Sequence, residues 1–260
     1  ATGQLNLVKI VDAPAFATSV QLATAYEFLV TCVSGGQPVT LLNAAGANAS
    51  RPSVPADGST FLYNNVTGPV NLPLFADCNI TEPSPPAGVT ITAPSVAVTA
   101  ERDLSEDPAV WQPYIGDTAA AGLEITNEFH VGEFTVAKTV DAGGAIDQNG
   151  NPIAYDYAFD FTVSCIYLGQ EVVPVADRTF SLSDGASKTF TAIPTGAACR
   201  VTEADPGLAG STVTKLTRNG VVTSTNGVDV DFLVGDETTP VAIEFENAMT
   251  VGSLEVAKVV

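Results

Sequence analysis

The chain has 260 residues, enough for one to three domains, with 29 acidic and 10 basic side chains. Its net charge of −19 repels phosphate groups, which excludes nucleic acid and anionic membrane surfaces as expected partners. The 22 glycines and 17 prolines, with many Val and Thr residues, are typical of short β-strands joined by turns. The sequence has no apolar run of membrane-spanning length, so no membrane insertion is expected in this segment.

The first predicted strand carries a lysine inside an apolar, β-branched run, and the same run recurs twice further along the chain. The three lysines occupy the same place in each run: Lys9, Lys138 and Lys258. The chain has only five lysines, so we do not attribute this repetition to chance. A lone ammonium is expensive to bury among apolar side chains, and each lysine is therefore predicted to have a partner.

The interval between these lysines divides the chain into repeats of single-domain length. The lysines lie about 120 residues apart, a length that can bury its own core. The sequence predicts a first domain at residues 1–128, a second at residues 129–250, and the first strand of a truncated third repeat at residues 251–260. The linkers between these repeats are short, which favours an elongated arrangement.

Each repeat holds two cysteines at matched positions. Cys32 and Cys78 lie in the first repeat, and Cys165 and Cys199 lie in the second. An even number of cysteines in a chain of secreted character favours one disulfide per repeat, Cys32–Cys78 and Cys165–Cys199, over two buried free thiols. There is no Cys-x-x-Cys pair and His130 is the only histidine, so we expect no metal site and no cofactor.

Between these fixed points, apolar and polar residues alternate with the period of half-buried strands. Residues 159–163, 189–193 and 228–232 are the clearest examples in the second repeat. No long segment has a helical period. The sequence therefore predicts an all-β fold of two tandem Ig-like β-sandwich domains.

A loop near the end of the first repeat contains the only tryptophan, Trp111, followed by Tyr114. Such an aromatic pair suits contact with a glycan or a host protein. The alternative is that one side chain caps the end of the sandwich. An adhesin module that binds through loops of the first domain is therefore one hypothesis for the function.

Each repeat also has a glutamate four residues after its second cysteine and an asparagine in its last strand. With the first-strand lysine they make two matched sets: Lys9, Glu82 and Asn127, then Lys138, Glu203 and Asn247. The first and last strands of a sandwich can be neighbours. If the three side chains of a set point inward, they meet in the core.

Burial lowers the pKa of a lysine and raises that of a glutamate, so a proton can pass between them and leave a nucleophilic amine. A protonated glutamate can then polarise the asparagine carboxamide and carry protons. Attack of the amine on the carboxamide, with loss of ammonia, would form one isopeptide bond per domain. The alternative is an ordinary ion pair of each lysine with Glu82 or Glu203, the asparagine merely ending its strand.

Two segments carry a resemblance to a known family. Ile193–Glu203 and Glu82–Val89 resemble the Gly-x-Tyr-x-Leu-x-Glu and Glu-x-x-Ala-Pro-x-Gly-Tyr stretches of Cna-B-type repeats in Gram-positive surface proteins. The resemblance spans residues 5–128 and 133–248, and implies an Ig-like sandwich in which lysine, glutamate and asparagine form an isopeptide bond. The cysteine pair departs from that family, which indicates a disulfide-bearing, actinobacterial variant.

The sequence thus predicts a structural protein rather than an enzyme: an extracellular stalk, adhesin or fibre shaft at the cell surface. Its modules would be crosslinked internally against tension and proteolysis. The expected partners are neighbouring repeats and other copies in a fibre, or a glycan or host protein for the adhesin hypothesis. A further hypothesis is a non-covalent filament in which Gly252–Val260 adds as a strand to a neighbour's sheet.

Overall fold

The computed structural model describes most of both repeats, namely residues 2–3, 5–13, 20–43, 45–62, 72–73, 76–92, 110–111, 121–204, 211–218, 221–224, 228–236 and 238–249. The chain divides into two compact units, Ala1–His130 and Val131–Val260. The predicted strand of a third repeat, residues 251–260, lies outside the described residues, as does Tyr114.

The first unit is built from short strands. They are β1 (Thr2–Gly3), β2 (Leu5–Asp12), β3 (Ala25–Glu27), β4 (Leu29–Ser34), β5 (Gln37–Val39), β6 (Ser53–Pro55), β7 (Gly58–Leu62), β8 (Leu72–Pro73), β9 (Asp77–Thr81), β10 (Val89–Thr92), β11 (Val110–Trp111) and β12 (Ala121–Phe129). One sheet has the order β10–β12–β2–β7 and a second has the order β11–β9–β4–β5. In addition, β3 pairs with β6, and β1 pairs with β8.

The two larger sheets of the first unit share one hydrophobic core. Leu7 on β2 and Ile125 on β12 are buried in the same cluster as Val30 on β4 and Ile80 on β9. Successive residues of a strand point to opposite faces, so every second side chain reaches this core. The unit is therefore a β-sandwich.

The second unit has the same plan with longer strands. They are β13 (Val131–Asp141), β14 (Phe159–Tyr167), β15 (Gln170–Glu171), β16 (Thr179–Leu182), β17 (Ser187–Pro194), β18 (Ala198–Glu203), β19 (Ser211–Arg218), β20 (Val221–Ser224), β21 (Asp229–Leu233) and β22 (Val241–Met249), with one 3-10 turn at Val175–Asp177. One sheet has the order β17–β13–β22–β19–β20; the other has the order β15–β14–β18–β21, with β16 also paired to β14.

Aromatic side chains join the two sheets of the second unit. Phe134 on β13 meets Phe232 on β21 edge to face, with ring centroids 5.0 Å apart. Phe161 on β14 meets Phe245 on β22 in the same way at 5.2 Å. The predicted all-β fold, with one sandwich in each repeat, is confirmed.

In each unit a strand from the start of the repeat lies beside the last strand, and the two run parallel. β2 pairs with β12 over eight register positions, and β13 pairs with β22 over eight. Every other long ladder between the described strands is antiparallel. The two ends of each module are thus held side by side within one sheet.

Candidate functional site

The structure brings the predicted lysine, glutamate and asparagine of each repeat together inside its sandwich. In the first unit the exposed fractions of Lys9, Glu82 and Asn127 are 0, 3 and 0%. In the second unit those of Lys138, Glu203 and Asn247 are 0, 1 and 0%. Among the described residues these six are the only buried polar or charged side chains, so each sandwich is apolar except at this one place.

The lysine and the asparagine reach the core through strand alternation. Lys9 continues the inward series of Leu5 and Leu7 on β2, and Asn127 continues that of Ile125 on β12. Because the two strands are parallel neighbours, their inward residues share one face of the sheet. Lys9 is in register with Ile125, and Asn127 is two positions further along its own strand.

The glutamate comes from the facing sheet. On β9, Cys78 and Ile80 point inward, and Glu82 follows with the same two-residue period just after the strand ends. In the second unit, Glu203 is the last residue of β18 and follows the inward Cys199 by four residues. Each set therefore spans the interior of the sandwich from one sheet to the other.

In the first unit the carboxylate lies between the amine and the amide. Lys9 Nζ is 3.4 Å from Glu82 Oε2 and donates a hydrogen bond to the carbonyl oxygen of Ile125 at 3.3 Å. Asn127 Nδ2 donates to Glu82 Oε1 at 2.9 Å. One glutamate thus contacts both groups that the proposed bond would join.

The second unit keeps the glutamate–asparagine contact but orients the amine differently. Asn247 Nδ2 donates to Glu203 Oε1 at 2.5 Å. Lys138 Nζ donates to the carbonyl oxygens of Thr139 and Phe245, at 2.7 and 3.2 Å. Its ammonium is therefore held by backbone carbonyls next to the asparagine-bearing strand.

An aromatic ring covers each lysine, a feature that the sequence reasoning missed. Lys9 Nζ lies 4.8 Å from the ring centroid of Tyr26, and Lys138 Nζ lies 4.4 Å from that of Phe159. Both aromatic residues precede the first cysteine of their repeat by six positions, so the alignment of the repeats contained the signal. The ring face offsets part of the cost of burying the cation and excludes water from the amine.

Burial shifts the ionisation of the two lysines and of Glu203 toward their neutral forms. It lowers the pKa of Lys9 to about 8, against the opposing attraction of Glu82. It likewise lowers the pKa of Lys138 to about 8, with Glu203 and nearby acidic groups opposing. Burial raises the pKa of Glu203 above its usual value, although Lys138 and the hydrogen bond from Asn247 oppose this. These pKa shifts make it easier to populate the state in which a neutral amine lies near a protonated carboxyl group.

Several acceptor atoms in the two sites have no donor within the described part of the chain. These atoms are Asn127 Oδ1, Glu203 Oε2 and Asn247 Oδ1, whereas Glu82 Oε2 faces the ammonium of Lys9 at 3.4 Å. A buried acceptor without a donor is costly, whereas a protonated carboxyl group becomes a donor. In the second unit, a proton on Glu203, whose pKa burial raises, would turn its unpaired oxygen into a donor.

Both predicted disulfides are present. Cys32 is bonded to Cys78, enclosing a sequence separation of 46, and Cys165 to Cys199, with a separation of 34. All four cysteines are buried. Each bond links the strand that carries the glutamate to the strand beside it.

The structure gives no side-chain geometry for the other predicted site, the aromatic pair Trp111 and Tyr114. Trp111 lies in β11, which pairs with β9, but its side chain is not among those described. Within the described ranges, no group of three or more His, Cys, Asp or Glu side chains is placed to hold a metal ion. The lysine–glutamate–asparagine sets are therefore the sites with defined chemistry.

Comparisons with known proteins agree with this architecture. Among solved structures, the T-13 major pilin protein of Streptococcus pyogenes is similar with a TM-score of 0.51 and 14% identity, over 96% of this chain and 98% of the pilin. Another major pilin of Streptococcus pyogenes has a TM-score of 0.44 and 12% identity, over 96% and 99%. The fold of two tandem Cna-B-like sandwiches, predicted from the resemblance, is confirmed.

The sequence comparisons are more specific about the family. Comparison with curated proteins finds no match. One family model matches twice, at residues 5–130 and at residues 134–250. Since these matches cover nearly the whole sequence, the chain belongs to the family described as Domain of unknown function (DUF5979) and contains two of its domains.

Proposed function

We propose that this chain is a structural part of an extracellular fibre or stalk, and that an isopeptide bond closes each of its modules. The bonds join Lys9 to Asn127 and Lys138 to Asn247. The observation that supports this most directly is the buried lysine–glutamate–asparagine set, built twice at the same place in otherwise apolar sandwiches.

The proposed reaction needs no component beyond the three side chains. The lysine transfers a proton to the glutamate, and the neutral amine attacks the asparagine side-chain carbonyl carbon. A C–N bond forms to the lysine nitrogen and the original carboxamide C–N bond breaks. The glutamate passes its proton to the departing nitrogen and takes one proton from the attacking nitrogen. The products are a secondary amide and ammonia. Each module reacts once, so this is self-modification and not enzymatic turnover.

Surroundings of the sites support this reaction over a simple ion pair. A buried ion pair contributes little net stability unless its remaining polar atoms are well hydrogen bonded. Here acceptor atoms of Glu203 and Asn247 have no donor among the described residues, while burial lowers the pKa of Lys138 to about 8. These conditions oppose full charge separation and increase the population of the neutral, reactive pair.

Placement of the bonds gives the fold a mechanical purpose. Tension that enters a module at its first long strand and leaves at its last would pass through the new amide. The chain between the two joined residues, which includes almost all of the module, would be shielded from the force. This property suits a fibre that works outside the cell, where no ATP-dependent chaperone can refold it.

Similar folds support the same cellular setting. One similar solved structure is described as a major pilin protein of Streptococcus pyogenes, and we propose the cell surface as the location of this chain. Its partners would be neighbouring repeats and other copies of the same protein. No helix in the described ranges has the length and apolar character needed to span a membrane.

Intact mass under non-reducing conditions tests the proposal. Each isopeptide bond removes about 17 Da as ammonia and each disulfide about 2 Da as hydrogen. The full chain is expected to lack two ammonia masses and four hydrogens, and proteolysis should yield branched peptides containing Lys9 with Asn127 and Lys138 with Asn247. A chain with the hydrogen deficit but no ammonia deficit would contradict crosslinking and leave disulfide-bonded spacer modules.

A further inference from the structure

The disulfides lie in a position that bears on the reaction itself. Cys32 and Cys78 are directly opposite each other on β4 and β9, with a Cα–Cα distance of 4.1 Å. Cys165 and Cys199 are opposite each other on β14 and β18 at 4.0 Å. In both modules the second cysteine lies four residues before the glutamate and on the same inward face; Glu203 ends β18, and Glu82 directly follows β9.

Lysine and asparagine are positioned by a different sheet. Their strands, β13 and β22 in the second module, are held together by a parallel ladder of eight register positions. That ladder fixes the position of Lys138 relative to Asn247. It does not position Glu203, which lies on the facing sheet. The register of β18 against β14 is therefore what determines whether the glutamate meets the other two groups.

A small slip of this strand would remove the glutamate from the site. A shift of one residue turns its side chain to the outer face of the sheet. A shift of two residues moves it by about 7 Å along the strand, well beyond hydrogen-bond reach of the asparagine. In the first module the ladder between β4 and β9 has only five register pairs to resist such a slip.

The disulfide excludes both slips. A two-residue slip would separate directly opposed Cα atoms to about 8 Å, further than a disulfide can span. A one-residue slip would place the two cysteine side chains on opposite faces of the sheet. The covalent bond thus sets the register of the strand that delivers Glu82 or Glu203.

We propose that the disulfide of each module positions its glutamate, and that the isopeptide bond therefore forms only after the cysteines are oxidised. This inference rests on the proposed function. The oxidation converts two thiols to a disulfide while a small-molecule disulfide, such as oxidised glutathione, is reduced to two thiols. Because thiols stay reduced inside most cells, the irreversible step would be postponed until the chain has reached an oxidising, extracellular setting.

The test follows the intact mass of the full chain synthesised in dithiothreitol, before and after transfer into oxidised glutathione. We expect little ammonia loss while the cysteines are reduced. After oxidation each module should lose two hydrogens first and ammonia afterwards. A parent chain that never loses ammonia, even when oxidised, would overturn the proposed function itself. A parent chain that loses ammonia at one rate in both conditions would overturn only the present inference.

A double variant, Cys32→Ser with Cys78→Ser, separates the modules within one chain. We expect ammonia loss in its first module to slow by about 100-fold or more, as expected when a proton-transfer group is misplaced. The second module keeps its disulfide and serves as an internal control with the parent rate. Peptide mapping assigns each ammonia loss to its module.

Further variants distinguish positioning from general stability. Cys32→Val with Cys78→Val fills the core without a covalent bond, and its first module should fold but crosslink slowly. Val30→Ala truncates a buried side chain on β4 and keeps the disulfide, so it should weaken the module in urea yet crosslink at the parent rate. A folded Val-pair module with the parent rate would refute positioning. So would failure of both cysteine variants to fold, because the bond would then serve folding as a whole.

Discussion

Lys9 and Asn127 lie on neighbouring parallel strands two register positions apart, since Lys9 pairs with Ile125 and Asn127 pairs with Val11. The second module repeats this relationship at Lys138. Two positions along a strand correspond to about 7 Å, a distance that a lysine and an asparagine side chain can close between them. A bond across this gap would tie the beginning of the module to its end without disturbing the ladder.

Replacing Lys9 by methionine tests the nucleophile. Lys9→Met keeps an unbranched side chain in the core but has no amine, so the first module should retain its ammonia while the second still loses one. The first module should also unfold at a lower temperature. A covalent link across a loop of this length is worth on the order of 5 kcal/mol on the chain-entropy model of disulfides. Mass spectrometry and calorimetry measure the two effects.

A matched control is Lys188→Met. Lys188 lies in the second module, where its Nζ pairs with Asp177 at 2.9 Å outside the buried set. This variant should lose two ammonia molecules, as the parent does. If Lys9→Met also lost two, the amine of Lys9 would not be the nucleophile.

Replacing Glu203 by glutamine tests proton transfer. Glu203→Gln keeps the size of the side chain and an oxygen that can accept from Asn247, but it has no carboxyl proton to move. The second module should lose ammonia more slowly by a factor of about 10² to 10⁴, the usual contribution of a positioned acid or base. Time-resolved intact mass after synthesis gives the rate.

Glu133→Gln is the control for a change of charge in the same unit. Glu133 lies on the exposed face of β13 and points away from the core. Its variant should crosslink at the parent rate in both modules. Equal slowing in the two glutamine variants would mean that overall charge, and not the buried carboxyl group, governs the reaction.

Much of this site could be predicted from the sequence because the two repeats of the chain can be aligned with each other. Alignment of the two repeats picks out the lysine, the glutamate and the asparagine by position, whereas their inward orientation was one of two alternatives that the sequence left open. The same alignment pairs the cysteines. Strands β14, β17 and β21 were predicted from alternation at nearly the right places.

Other features depend on tertiary packing and could not be predicted from the sequence. Adjacency of the first and last strands was predicted, but their parallel direction and the pairing of Lys9 with Ile125 are set by how the whole sandwich closes. The rings of Tyr26 and Phe159 over the lysines were missed, because an aromatic residue in an apolar strand is ordinarily core. The hydrogen bond of Lys138 to the carbonyl oxygen of Thr139 also has no signal in the alignment of the repeats.

The rate of crosslinking in the second module should depend on pH in a bell shape. The reactive form has one proton shared between Lys138 and Glu203, on the glutamate. As pH rises through the lysine pKa of about 8, the pair loses this proton and the rate should fall. As pH drops below the raised pKa of Glu203, both groups become protonated and the amine is no longer nucleophilic. Rates of ammonia loss between pH 4 and pH 10 measure both limbs.

The alkaline limb is the discriminating part of this profile. If deprotonation of the amine alone limited the reaction, the rate would rise to a plateau above the lysine pKa. A rate that stays high toward pH 10 would thus contradict the role assigned to the glutamate proton. Glu203→Gln has no carboxyl proton to lose, so its rate should not fall on the alkaline side. This result would assign the alkaline limb to the glutamate proton.

Single-molecule stretching tests the mechanical role. In the parent chain, the residues between Lys138 and Asn247 should never extend under load, because the amide bypasses them. In Asn247→Ala the bypass is absent, and with the disulfide reduced, rupture of the second module should release about 380 Å more than the parent at roughly 3.5 Å per residue. The parallel first and last strands are pulled in shear, so this rupture should occur as one cooperative step.

The disulfide changes the extension released in the same experiment by a known length. It withholds the 34 residues between Cys165 and Cys199, so the extra release in Asn247→Ala should be shorter by about 120 Å when the bond is oxidised. Adding reductant should restore the longer step in this variant and leave the parent unextended. A parent module that lengthens by the full amount under load would show that tension passes through the sandwich, and the fibre function would then require another source of mechanical strength.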